Sequence, residues 1–66
     1  MTLEVVKRAI EELPDSQRRV ITMRDIARFS AEEVCAELEL SAANQRVLLY
    51  RARSRVRAAL ERHLDG

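Results

Sequence analysis

Six arginines and the only tyrosine of the chain lie within residues 41–64, and their spacing decides what chemistry that stretch can do. At 3.6 residues per turn, each step along a helix rotates by about 100°. Leu48, Leu49, Ala52, Val56, Ala59 and Leu60 then share one stripe, which has to be buried, while Ala43, Val47, Tyr50 and Ser54 lie diametrically opposite. Arg46, Arg53 and Arg57 run along one border of that front, and Arg51, Arg55 and Arg62 along the other. Two rows of cations around an uncharged strip suit the major groove, with phosphates on either side and base edges between them. The competing use of such a face is solvation with intrahelical ion pairs, but only Glu61 and Asp65 stand nearby as acids.

The charge balance supports a polyanionic partner for this half. The net charge of +1 hides an asymmetry: residues 1–39 carry six cations against nine anions, a balance of −3, and residues 40–66 carry six arginines against two acids, a balance of +4. Such a split points to a polyanion for the basic half. Catalysis is not expected. It needs a nucleophile, a base and a pocket, and the one His, His63, and the one Cys, Cys35, fall on different predicted helices with no Gly-rich loop between them. One His and one Cys build neither a metal site nor an intramolecular disulfide, so no cofactor and no small-molecule substrate is expected. No apolar run reaches the roughly 18 residues a membrane span needs, and no cleavable signal opens the chain, so a cytoplasmic location with no membrane partner is expected.

The elements that must position the arginines are all helical, because only one Gly and one Pro occur and strand-like alternation is missing. Leu3, Val6, Ile10 and Leu13 recur at helical spacing and predict an amphipathic helix over about residues 2–12, with Thr2 as its N-cap. Pro14 ends it and opens a second helix over about 14–27, where Asp15 suits the positive end of the dipole and Val20, Ile21, Met23 and Ile26 form the core face. Ser30 and Glu33 make an S-x-x-E capping box for a short third helix over 31–38, with Val34, Cys35 and Leu38 inward. Ser41 caps the long helix, over about 42–64. His63 falls on its core stripe at the last turn, where a cation favours the dipole. Two helices joined by about three residues, the first short and the second basic, make a helix-turn-helix within an all-α, four-helix domain. A core from 66 residues buries only about 60% of the surface of the unfolded chain and rarely supplies more than roughly 3–5 kcal/mol, so a stabilising partner is expected.

The ordered set Leu13-Pro14, Arg18, Val20 and Met23-Arg24, then Phe29 with the Ser30 capping box and Val34, then Leu38-Glu39-Leu40-Ser41, and finally Arg51-Ala52-Arg53 with Val56-Arg57 resembles region four of bacterial sigma factors. The resemblance covers nearly the whole chain, and its spacing is most similar to the extracytoplasmic-function group. It implies a domain of a longer factor, placing its last helix in the major groove of the promoter's minus-35 element. Another face would dock on the flap of the polymerase β subunit, and an anti-sigma protein would hold the factor inactive. A similar four-helix layout occurs in LuxR-type output domains. Asn44, Gln45 and Arg46 and the alternating arginines 51 to 55 fit that alternative less well.

Carried over by residue, the resemblance implies DNA contact at Ser41, Ala43, Arg46, Val47, Tyr50 and Arg51 in the first turns of the last helix; Arg53, like Arg55, Arg57 and Arg62, lies further along it, where a phosphate contact or a solvated role is expected. Arg24, Ser30 and Glu32 match positions near the adjacent backbone or bases. Arg46 and Arg51 suit either a fork onto guanine or a phosphate contact, and Tyr50 suits a thymine methyl or a phosphate. The resemblance also places Cys35 where a small residue packs at a helix crossing, which argues against a redox role. Three positions depart from the pattern. Glu39 replaces the usual turn Gly, which costs energy if φ is positive. Gln45 replaces a β-branched hydrophobe on the core stripe, and it must either hydrogen-bond inside or tilt towards DNA. Val47 and Leu48 stand where relatives carry polar or basic groups.

Overall fold

The computed structural model describes residues 2–65, the side chain of Thr2 excepted. Among them lie four α-helices: α1 (Thr2–Glu11), α2 (Asp15–Ile21), α3 (Ala31–Leu38) and α4 (Ala42–Asp65), with a π-helical turn, Thr22–Ile26, running on from α2. The domain is the expected all-α helix-turn-helix. At about 1.5 Å per residue, the 24-residue α4 spans nearly the whole 39 Å long axis of the molecule. The three shorter helices all pack on it.

Ile10, Leu13, Val20, Ile21, Val34, Leu49 and Ala52 form the core, with Val6, Met23, Leu38, Leu40, Leu48 and Val56 packed around it. Removing a Val-sized side chain from water contributes about 1.5–3 kcal/mol, and Val20 and Val34 are completely enclosed. Ala52, also fully enclosed, has the small side chain that lets neighbouring helices approach the axis of α4 closely.

The departures from the expected pattern have local causes. Pro14 is the N-cap of α2 rather than its first helical residue; its ψ of 148° is extended, and its carbonyl accepts from the Arg18 N–H at 2.9 Å. The regular α-helix stops at Ile21, and the wider π-turn that follows shifts the helical phase. Ile26, expected in the core, stands 59% exposed: five residues after Ile21, it lies about 140° round from the buried face even on a regular helix. Leu3, expected on the core stripe of α1, is 70% exposed in the first turn, and His63 is exposed near the end of α4, on the edge of a groove shared with Glu4, Val5 and Arg8 of α1. Thr2, expected as a cap, is already helical, and its capping role lies outside the described side chains.

Glu39 adopts φ 55° and ψ 48°, the left-handed conformation expected of the turn, and its N–H and that of Leu40 both donate to the Cys35 carbonyl. A second non-Gly residue with positive φ, Arg28 at 65°, closes the corner between the π-turn and α3. Cys35 is a half-buried free thiol.

Candidate nucleic-acid interface

Two helix N-termini and the front of α4 make up the candidate surface. At α3 the capping box is complete: the Glu33 N–H donates to Ser30 Oγ at 3.1 Å, and the Ser30 N–H donates to Glu33 Oε1 at 2.8 Å. Those contacts with Ser30, the backbone bond first, hold the Glu33 carboxyl below its ordinary pKa. At α4 the Asn44 N–H donates to Ser41 Oγ at 3.0 Å. Each serine uses its oxygen as acceptor, so its hydroxyl hydrogen stays free to donate to an incoming anion. The helix dipole adds positive potential at the same place.

Ala43, Arg46, Val47, Tyr50 and Arg51 are all exposed on the side of α4 opposite Gln45, Leu49 and Ala52. Tyr50 is 72% exposed, so its ring is not anchored in the core. Sequence reasoning passed over Asn44, which is exposed on the Arg51 border in the first turn. Its amide matches the donor and acceptor pair of adenine, and the signal was its place beside the Ser41 cap. Ser30 and Glu32 are exposed at the start of α3.

The arginines divide by partner. Arg18 and Arg19 pair with Asp15 on their own helix. Arg53 reaches Asp25 in the π-turn with a two-pronged fork, Nε to Oδ2 at 2.9 Å and Nη2 to Oδ1 at 2.6 Å. That hydrogen-bonded guanidinium lowers the pKa of Asp25, and the carboxylate in turn raises that of Arg53. Arg46, Arg51, Arg55, Arg57 and Arg62 are exposed and make no ion pair among the described residues. Arg24 is half-buried, and its Nη1 donates to the Phe29 carbonyl at 3.0 Å, next to the Ser30 cap.

Gln45 does not tilt outward. It is 3% exposed, and its Nε2 has no hydrogen-bond partner. Gln17 on α2 is buried too, with Oε1 unpartnered; its place three and four residues before Val20 and Ile21 puts it on their face, a signal that its polar type masked. A separate cleft of about 880 Å³ lies between α2, the π-turn and α3, with Met23, Phe29, Ala36 and Leu38 at its floor and walls and Arg18, Arg19, Glu33 and Glu37 among its charged lining. It contains no residue of α4.

Residues 3–62 match the family described as Sigma-70, region 4. Over 52 residues, 79% of this chain and 27% of the relative, the sequence is 36% identical to a Haemophilus influenzae protein named "Probable RNA polymerase sigma factor". The chain thus spans about a quarter of the length of that curated relative. No solved structure matches the chain. No helix among the described residues is long and apolar enough to cross a membrane.

Proposed function

Because the chain belongs to the sigma-70 region 4 family, we propose that it is the promoter-reading domain of an extracytoplasmic-function sigma factor, with α4 in the major groove of the minus-35 element. The observation that carries this reading is the set of five exposed arginines on α4 that have no acidic partner among the described residues, arranged around the uncharged front of Ala43, Val47 and Tyr50. Arg46, Val47, Tyr50 and Arg51 face base edges, Asn44 stands beside them, and the serine caps Ser41 and Ser30 hold phosphates at two helix N-termini. Glu32, in the first turn of α3, is an acceptor suited to the cytosine amino group. Arg24 acts near the Ser30 cap through the backbone it braces. Family membership supports this reading over a LuxR-type output domain.

The factor works in the cytoplasm with the polymerase core. The cleft between α2 and α3, apolar inside and free of α4 residues, is the surface offered to the β-subunit flap, and an anti-sigma protein covers the same surfaces in the inactive state. A salt series tests the DNA arm. Binding through phosphates loses affinity with a slope of about −0.9 per contact on B-DNA, whereas an apolar protein interface responds weakly. A slope near zero for duplex DNA, with the chain folded, contradicts the reading.

A further inference from the structure

We infer that the Asp25–Arg53 ion pair is a positioning clamp that fixes the angle between α3 and α4, so that Arg53 serves the DNA-reading surface without contacting phosphate; the DNA part of this inference rests on the function proposed above. Three ion pairs occur among the described residues. Two are local pairs within α2, and only Arg53–Asp25 joins residues distant in sequence, 28 apart. Its planar fork meets the carboxylate with two bonds, which fixes orientation as well as distance.

The position of Asp25 gives the pair its leverage. It sits in the π-turn, whose extra residue per turn redirects side chains relative to α2. The neighbouring Arg24 donates to the Phe29 carbonyl, and the Phe29 N–H donates back to the Met23 carbonyl at 2.9 Å. The next residue is Ser30, the N-cap of α3. Polar contacts, joined by the backbone of residues 23–25 and 29–30, therefore connect the middle of α4 to the first turn of α3. At its other end α3 joins α4 through the three residues 39–41, with Glu39 in the left-handed conformation. A helix tied at one end can pivot; α3 is tied at both. The corner holds Arg28 at positive φ, a strained conformation that persists only when the surrounding contacts over-determine it.

The competing role for Arg53 is a phosphate contact that Asp25 merely occupies in the free chain. The two roles give opposite signs. If Asp25 is a competitor, Asp25→Ala frees Arg53 and tightens DNA binding, and Arg53→Ala flattens the salt slope by about one phosphate. If the pair is a clamp, both substitutions loosen α3 against α4 and lower discrimination alike.

The test uses the 66-residue chain and the duplex that the wild type selects from a randomised library. Asp25→Ala and Arg53→Ala are each expected to lower the preference for that duplex over a scrambled one by about fivefold, with the salt slope unchanged. Arg53→Lys, which keeps the charge and loses the fork, should resemble Arg53→Ala. The reversed pair Asp25→Arg with Arg53→Asp should recover most of the preference. Residual dipolar couplings of the amides, measured without DNA, should show the α3–α4 angle altered or averaged in the single variants and restored in the reversed pair. That readout decides the clamp even if no duplex is selected, an outcome that would instead count against the proposed function. Tighter binding by Asp25→Ala, a flattened slope in Arg53→Ala, or an unchanged α3–α4 angle in both overturns the inference.

Discussion

Arg53 and Arg57 lie about one turn apart on α4, yet the fold gives them different surroundings. Arg53 meets a carboxylate from a turn 28 residues earlier, and Arg57 meets no acid among the described residues. Identical side chains on one helix are thus divided into one paired within the fold and one left unpaired among the described residues. The division follows from the wheel: Arg53 lies closer to the buried stripe than Arg57, on the border that meets the π-turn, while Arg57 projects further round. Pairing, rather than residue type, separates Arg53 from the exposed, unpaired arginines for which the DNA-reading role is proposed.

The sharpest contrast is between the near and far ends of the arginine borders. Arg46→Ala should cost about 1–3 kcal/mol of discrimination at a single base position, because that arginine stands beside Val47 in the turns expected to enter the groove. Arg57→Ala, three turns on, should weaken all sequences equally and take at most about one unit off the salt slope. Binding to a library of minus-35 variants reads both effects. Equal losses on every variant in both cases would make Arg46 a phosphate contact and move specificity to Asn44, Val47, Tyr50, Arg51 or the shape of the DNA.

Beneath the front of α4, Gln45 offers a test of the buried face alone. An unsatisfied buried donor costs about 1–3 kcal/mol, so Gln45→Met should raise stability by about 1 kcal/mol in thermal melts. DNA preference should stay unchanged, since the side chain is enclosed. A loss of stability would show that the amide is satisfied by an enclosed water. The two turns give a similar magnitude. Glu39→Gly and Arg28→Gly should each stabilise by about 1 kcal/mol, because a left-handed non-Gly residue carries a cost of that order. For Arg28 a loss instead would reveal a side-chain contribution at the corner.

The smallest effect is the dependence on pH. The folded-state pKa values of Asp25 and Glu33 lie below their ordinary values, so their contributions are present above the ordinary carboxylate range and fade as pH falls through the lowered values. The stability difference between wild type and Asp25→Ala, about 0.5 kcal/mol for a partly exposed pair, should be constant above about pH 5 and shrink below about pH 4. A difference that persists undiminished at lower pH would show that the charge of Asp25 is not what stabilises the corner.

Much of this was legible in the sequence, and the reasons differ by element. The capping box at Ser30 and the cap at Ser41 are local hydrogen-bonding devices, so they could be read from spacing, whereas a left-handed Glu39 was implied only by the resemblance, which puts a Gly at that turn. The front of α4 followed from helical periodicity. The π-turn did not, because nothing in residues 22–26 marks a widened turn, and with it went the position of Arg28; Ile26 was misplaced by its apolar type alone, since five residues after Ile21 it lies off the buried face. The Asp25–Arg53 pair was equally hidden: a contact across 28 residues depends on how α2 and α4 cross. The sequence placed Arg53 with the DNA-facing arginines, and only the packing reveals the carboxylate that occupies it.

The central claim, that the first turns of α4 are the face that meets DNA, is tested most directly by mapping amide chemical shifts of the chain during titration with its selected duplex. The largest shifts should fall on residues 41–51 and on the start of α3 at Ser30 and Glu32, with the cleft residues Met23, Ala36 and Leu38 left in place. Shifts concentrated in that cleft, with residues 41–51 unmoved, would contradict the account.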